Sequence, residues 1–266
     1  MSKTERFRQL HESGCFVMPN PWDAGSARLL ESLGFPAVAT TSSGFAWSMG
    51  RSDNHVTLEQ ALAHLRAISA AVDVPVNADF EGGFAVEADA VGANVAAAVA
   101  TGIAGVSIED STVNGATPLF DFDLSVERIR AARRAIDASG TGVVLTARCE
   151  TYLVAEPDLD EAIRRLDAYA AAGADCLYAP GIRNLDDIKR LVDAVAPKAV
   201  NVLVGSDFAT VEQLRAIGVR RISVGGALAR AAWGGFLAAA REIADHGTFS
   251  LLGRAVPFAE INGAFG

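Results

Sequence analysis

The sequence predicts a (β/α)₈ barrel, and three observations carry that prediction. Short apolar runs alternate with longer segments of helical period along the chain. Eight such runs fall within 266 residues, which is the size that eight βα units require. Helix-ending glycines stand just before several of the runs.

The strand candidates are 16–19 (F-V-M-P), 37–41 (A-V-A-T-T), 75–80 (P-V-N-A-D-F), 105–109 (G-V-S-I-E), 143–148 (V-V-L-T-A-R), 175–179 (D-C-L-Y-A), 200–204 (V-N-V-L-V) and 220–224 (R-R-I-S-V). Between them, D-A-G-S-A-R-L-L-E-S-L-G ends at Gly34, T-L-E-Q-A-L-A-H-L-R-A-I begins on the N-cap candidate Thr57, and D-L-D-E-A-I-R-R-L-D-A-Y-A-A-A-G ends at Gly173. Gly102, Gly140 and Gly218 precede strands in the same way. A doubly wound open sheet is the runner-up, but G-x-G-x-x-G is missing after the first strand. With no low-complexity linker, residues 1–266 read as a single barrel domain. The segment from Phe249 to Gly266 falls outside the period and is expected either to pack on a neighbouring subunit or to close the barrel bottom.

Half of the residues are hydrophobic, enough for a sizeable core. Against 32 acidic residues stand 23 basic ones, a net charge of −9 that argues against a nucleic-acid or anionic-membrane surface and favours a small-molecule partner. Cys15, Cys149 and Cys176 are odd in number and widely spaced, so neither a disulfide framework nor a cysteine zinc site is implied. A charged N-terminus without an apolar signal segment, and no long apolar span, lead to the expectation of a soluble, cytoplasmic protein.

Barrel enzymes assemble their sites at the C-terminal ends of the strands. Asp79 and Glu81 fall at the end of strand three, Glu109 and Asp110 at the end of strand four, Arg148 and Glu150 at the end of strand five, and Asp53 in the loop after strand two. So many acids on one rim repel one another unless a cation or a ligand compensates them. Oxygen-only donors favour a hard cation such as Mg²⁺, and the i, i+2 spacing of Asp79 and Glu81 would put both on one face of a strand. The plainer alternative has these acids capping helices or pairing with Arg148.

Arg148, ending an apolar strand, is placed to fork a substrate carboxylate, or else to pair internally with Glu150 or Glu109. The run T-T-S-S-G-F, Thr40 to Phe45, offers backbone N–H groups and hydroxyls to an anion, though it is also ordinary loop chemistry. After Asp110, S-T-V-N-G-A-T-P-L-F-D-F lacks helical period and reads as a lid or a plain surface loop. Of His11, His55, His64 and His246, only His55 lies near the rim; the others are expected on the surface or on helices.

The motifs M-P-N-P-W-D-A-G-S-A-R, T-T-S-S-G-F, V-N-A-D-F-E-G-G-F, G-V-S-I-E-D-S and L-T-A-R-C-E resemble, in order, those of the isocitrate lyase and phosphoenolpyruvate mutase superfamily, over residues 8 to 235. The resemblance implies a (β/α)₈ barrel with a swapped eighth helix, assembled as a homodimer or homotetramer with residues from 225 onward on a neighbouring subunit. It also implies Mg²⁺, with Mn²⁺ as the alternative, and a 2-oxo or 2-hydroxy acid as ligand. Carried over by motif, Asp79 contacts the metal directly, and Glu81 and Glu109 hold it mostly through water. Asp53 faces metal and substrate, Ser43, Gly44 and Phe45 hold the substrate carboxylate, and Arg148 binds its oxygens.

The implied chemistry is cleavage or formation of a bond beside a carbonyl through an enolate. The loop S-T-V-N-G-A-T-P departs from the lyase lid motif K-K-C-G-H, while Asn114 stands, at shorter spacing, for the lid asparagine of phosphonopyruvate enzymes and is a catalytic candidate. The reading is therefore Mg²⁺-dependent cleavage of a C–C bond in a small 2-oxo or 2-hydroxy dicarboxylate, such as oxaloacetate decarboxylation. The rivals are P–C bond chemistry on phosphonopyruvate and a non-catalytic ligand-binding barrel. The apolar segment Ala227 to Glu242, rich in small residues, is expected to pack between subunits.

Overall fold

The structure, a computed structural model, describes residues 1–113 and 115–265. Eight parallel strands make one curled sheet: β1 (Phe16–Met18), β2 (Val38–Ala39), β3 (Val76–Asp79), β4 (Gly105–Glu109), β5 (Val144–Arg148), β6 (Cys176–Tyr178), β7 (Ala199–Leu203) and β8 (Arg221–Ser223). Each strand pairs with its chain neighbours from β2 to β8, and β8 pairs with β1. The remaining seam, between β1 and β2, is bridged where Ala39 N–H donates to Pro19 O at 3.0 Å and Asn20 Nδ2 donates to Thr40 O at 2.9 Å. This closes the predicted barrel.

The surrounding helices are α1 (Lys3–Glu12), α2 (Ala24–Ser32), α3 (Ser42–Ser48), α4 (Leu58–Ala71), α5 (Ala88–Val99), α6 (Phe122–Ser139), α7 (Thr151–Val154), α8 (Leu159–Ala171), α9 (Leu185–Ala194), α10 (Val211–Ala216), α11 (Ala227–His246) and α12 (Phe258–Gly263). Thr57 caps α4 as expected, in a capping box with Gln60 that satisfies two otherwise orphaned N–H groups. Gly173 ends the turn after α8 at φ +106°, where an added Cβ would also meet the Arg133 side chain at 2.6 Å.

Two apolar clusters divide the interior. The larger one, including Leu65, Ile68, Val95, Val106 and Leu145, fills the layer between barrel and helices. The smaller comprises Phe7, Phe16, Met18, Ala37, Ala39, Ala104 and Val144. Phe7 on α1 has no exposed surface, and its ring lies so close beneath Gly105 that a Cβ there would approach it at 2.5 Å. Burying such a ring stabilises by about 1.5–3 kcal/mol and seals the barrel bottom with α1. Above this plug the interior turns polar: Asn77, Ser107, Asn201, Arg221 and Ser223 are buried and line the cavity that opens at the strands' C-terminal ends.

The C-terminal tail does not close the bottom. Beyond α11 it forms a 3₁₀ turn at Ser250–Arg254 and then α12, and Arg28 of α2 donates to Phe265 O at 3.2 Å. In α11, Ala229 is the one buried residue of 20, and Trp233, Phe236 and Leu237 are exposed. Among the described residues no helix is long and apolar enough to cross a membrane.

His11 and His64, expected on the surface or on helices, lie on α1 and α4 and are half-buried there. Arg221, which can only donate, lies 3.2 Å from His11 Nε2, so the ring proton sits on Nδ1 and is donated to Phe7 O at 2.7 Å. Burial and the neighbouring Arg221 push His11 down to about 3. His64 stacks on Phe45 with ring centres 3.8 Å apart, and burial pushes it down to about 4.

Candidate active site

Asp79, Glu109 and Arg148 are the last residues of β3, β4 and β5, and Glu109 and Arg148 are register partners. Arg148 Nη1 lies 3.1 Å from Asp79 Oδ1 and 3.3 Å from Glu109 Oε2, while its Nε donates to Glu150 Oε1. The internal pairing that the sequence offered as one alternative is therefore present, and Arg148 also lines a cavity. Asp79 is further fixed by Ser42 N–H, which donates to Oδ2 at 2.9 Å, and its own N–H donates to Thr40 Oγ1 at 2.9 Å.

Glu81 does not extend β3. The strand ends at Asp79, and Glu81 takes a left-handed conformation at φ +47°, so the i, i+2 argument fails at this position. A turn through Gly82 and Gly83 brings it beside Asp79 all the same, because their glycines tolerate the tight path. Among the described residues its carboxylate accepts no hydrogen bond; burial, then the charges of Asp79 and Asp53, push it up to about 8.

Burial also raises Glu109 well above the carboxylate range, with Arg148 opposing, and raises Glu150 in the same way. For Arg148, burial is outweighed by Glu150, Glu109 and Asp79, which hold the guanidinium charged. Asp53 lines the same cavity as Asp79 and Arg148 and is raised by burial and by Asp79. His55, beside it in sequence, is exposed and its Nδ1 contacts Asp53 O at 2.8 Å.

The run predicted as an anion-holding turn is the first turn of α3, capped by Thr41. Ser43 lines the cavity, with its hydroxyl 3.1 Å from Thr41 Oγ1. Gly44 and Phe45 lie behind it: a Cβ on Gly44 would meet Trp22 at 3.0 Å, and Phe45 covers His64. The side-chain surface of these two residues is therefore not presented to the cavity.

Asp110, counted among the rim acids, is turned outward. Its carboxylate accepts from Tyr169 Oη at 2.6 Å, Arg165 Nη1 at 3.1 Å and the Glu150 N–H at 2.8 Å. The loop that follows begins with an antiparallel bridge between Ser111 and Leu119 and a bond from Thr112 N–H to Pro118 O at 2.9 Å. Asn114 lies outside the described residues. Cys149 is free and buried, and burial pushes its thiol up to about 12, which removes it as a nucleophile near neutral pH.

The cavity holds about 170 Å³, below the range of drug-sized sites, and so suits a small acid. Among the described residues no three metal-ligating side chains are gathered into a ready cage. Asp79, Glu81 and Glu109 nevertheless fit Mg²⁺, a hard cation that takes one or two protein carboxylates and keeps several waters. Burial and the neighbouring Asp79 and Asp53 charges raise the Glu81 carboxyl, the oxygen-donor type that a hard cation takes.

Sequence reasoning missed Asn20, Tyr178, Asn201 and Arg221, all of which line the cavity. Asn20 Oδ1 accepts from the N–H groups of Val224 and Gly225 at 2.9 Å each, joining the ends of β1 and β8. Arg221 Nε donates to Asn201 Oδ1 at 2.9 Å and its Nη2 to Thr146 Oγ1 at 3.0 Å. The available signal was a polar residue inside an apolar run, as in V-N-V-L-V and R-R-I-S-V.

Fold and site together define a (β/α)₈-barrel enzyme with an acid-lined cavity at the strands' C-terminal ends. The chain belongs to the phosphoenolpyruvate phosphomutase family, whose model matches residues 7–244, within the isocitrate lyase and phosphoenolpyruvate mutase superfamily. It is 34% identical over 257 residues to an uncharacterized protein of Mycobacterium tuberculosis, covering 96% of this chain and 94% of that one. It is 30% identical over 201 residues to an oxaloacetate decarboxylase of Bradyrhizobium diazoefficiens, covering 73% and 68% respectively. A crystal structure of a Burkholderia cenocepacia J2315 protein, put forward as a lyase/mutase, superposes with a TM-score of 0.96 at 48% identity over 99% of this chain and 96% of that one. A phosphonopyruvate hydrolase complex with oxalate and Mg²⁺ superposes with a TM-score of 0.86 at 26% identity, over 99% and 95%.

Proposed function

We propose that the protein is a Mg²⁺-dependent lyase or decarboxylase that cleaves a C–C bond in a small 2-oxo or 2-hydroxy dicarboxylic acid. The observation that carries this reading is the convergence of Asp79, Glu109 and Arg148 at the ends of three adjacent strands beside one small cavity. The similarity to an oxaloacetate decarboxylase supports the substrate class.

Asp79 would hold Mg²⁺ directly, with Glu81 and Glu109 holding it through water and Mn²⁺ as a substitute. When bound, the ion supplies Lewis-acid polarisation of ligand oxygens. Arg148, once drawn off Asp79, forks a ligand carboxylate and offsets the negative charge that develops as the C–C bond breaks. Ser43 donates its hydroxyl to the same carboxylate. Asp53, whose pKa is raised, exchanges a proton with the ligand.

Residues 111–121 contain no Lys, Cys or His. Protonation of a product by a lid side chain therefore lacks an acid there, whereas loss of CO₂ leaves the enolate directly and asks less of the loop. The exposed apolar face of α11 supports assembly of copies of this chain into a homodimer or homotetramer.

The test is to supply Mg²⁺ with oxaloacetate, 2-methylisocitrate, 2,3-dimethylmalate or phosphonopyruvate in turn, and to follow pyruvate, glyoxylate and phosphate. Mg²⁺-dependent C–C cleavage above the protein-free rate supports the reading. Turnover of phosphonopyruvate alone would replace it with P–C chemistry, and ligand binding without any turnover would favour the binding barrel.

A further inference from the structure

We propose that Arg128 is a positioning residue that ties the turn carrying Glu81 to the loop following Glu109, so that these two segments, beyond the ends of β3 and β4, move as one body.

Arg128 sits on α6 with 1% of its surface exposed, and among the described residues it makes no ion pair with a carboxylate. Its donors go to backbone carbonyls instead: Nη1 donates to Ala85 O at 2.6 Å and Val86 O at 2.9 Å, and Nη2 donates to Gly82 O. On its other side the guanidinium lies 3.8 Å over the Phe120 ring. A buried guanidinium spent on one stretch of main chain fixes that stretch.

The stretch needs fixing. Glu81, Gly83 and Phe84 have φ of +47°, +75° and +55°, and a non-glycine residue in the left-handed region is strained by its Cβ against the following carbonyl. Glu81 O accepts from Glu109 N–H at 3.0 Å and Gly83 O from Asn94 Nδ2 at 2.9 Å, which leaves Arg128 to hold Gly82, Ala85 and Val86. The direction in which Glu81 points follows from this hold.

Phe120 is where the loop after β4 rejoins α6. Its N–H donates to Asp110 O at 2.8 Å, and its carbonyl accepts from Arg165 Nη1 at 3.2 Å. A shift of the loop that moves this ring moves the face on which Arg128 rests, and through it three carbonyls of the Glu81 turn. Lysine cannot replace the arrangement, since it has neither the planar fork nor the stacking face.

Amide hydrogen exchange on the full chain without metal tests the tie. In Arg128→Lys, and separately in Phe120→Leu, exchange should rise about tenfold in both 81–86 and 111–120, while the helices keep their wild-type rates. Acceleration in one segment only, in neither, or evenly over the chain overturns the proposal; Phe120→Leu decides if Arg128→Lys fails to fold. A second arm rests on the proposed role of Glu81: calorimetry with MgCl₂ alone should show affinity about tenfold weaker in Arg128→Lys, and unchanged affinity counts against the proposal. Should the wild type take no Mg²⁺, the functional reading fails and the exchange data alone decide the tie.

Discussion

Arg148 Nη1 lies 3.1 Å from Asp79 Oδ1, so the guanidinium is the internal counter-ion of the carboxylate proposed to take the metal. On the proposed reading a cation would compete with the arginine for that oxygen. Asp79→Asn should abolish Mg²⁺ binding in a calorimetric titration and lower turnover by about 10²-fold or more. Arg148→Lys should leave Mg²⁺ binding in place while raising KM for the acid; the reverse pattern would exchange the two roles.

If Glu81 serves the proposed cation, Mg²⁺ binding should depend on pH. The folded value of Glu81, about 8, lies above the ordinary 4.5, so the metal-free folded protein holds this proton more tightly than the unfolded chain. Its contribution to stability therefore falls as pH rises from 4.5 to about 8. The cation needs the ionised form, so Mg²⁺ stabilisation should grow over the same window and binding at pH 7 should release protons. Titration heats that differ between buffers of different ionisation enthalpy would show the release; identical heats would contradict it.

His11 works in the opposite direction. Its value drops from 6.5 unfolded to about 3 folded, so between these limits the unfolded chain binds the extra proton and acid destabilises the fold. The slope is at most about 1.4 kcal/mol per pH unit. His11→Gln should flatten the acid-unfolding profile between pH 6 and 4, as followed by circular dichroism.

Asp110 is a support, and its removal should show as stability. Tyr169→Phe deletes the 2.6 Å bond to Asp110 and should cost about 1–3 kcal/mol in denaturant unfolding. Mg²⁺ affinity should stay at the wild-type value; a large loss would return Asp110 to the rim.

Phe236 is 60% exposed on a helix that buries only Ala229. Phe236→Asp should lower the assembly state in sedimentation without unfolding the barrel. A wild-type chain that sediments as a monomer would contradict the assembly.

The barrel was legible because its strands are short apolar runs separated by capped helices, as Thr57 and Gly173 illustrate. Asp79, Glu109 and Arg148 were legible because each ends such a run. Glu81 was reached by the wrong route, since period-two reasoning cannot anticipate a left-handed turn. Asp110 follows Glu109 directly, and successive residues at a strand end face opposite sides, which sends it to Tyr169 on α8. Asn201 and Arg221 went unread because a polar barrel interior depends on a plug, Phe7, that comes from the far end of the chain.

The most direct measurement is the electron density of crystals soaked with Mg²⁺ and oxalate. A cation should lie about 2.0–2.1 Å from Asp79, with oxalate oxygens facing Arg148 and Ser43 and the Arg148–Asp79 contact broken. Density for the cation elsewhere, or an Arg148–Asp79 pair unchanged beside bound oxalate, would contradict the proposed site.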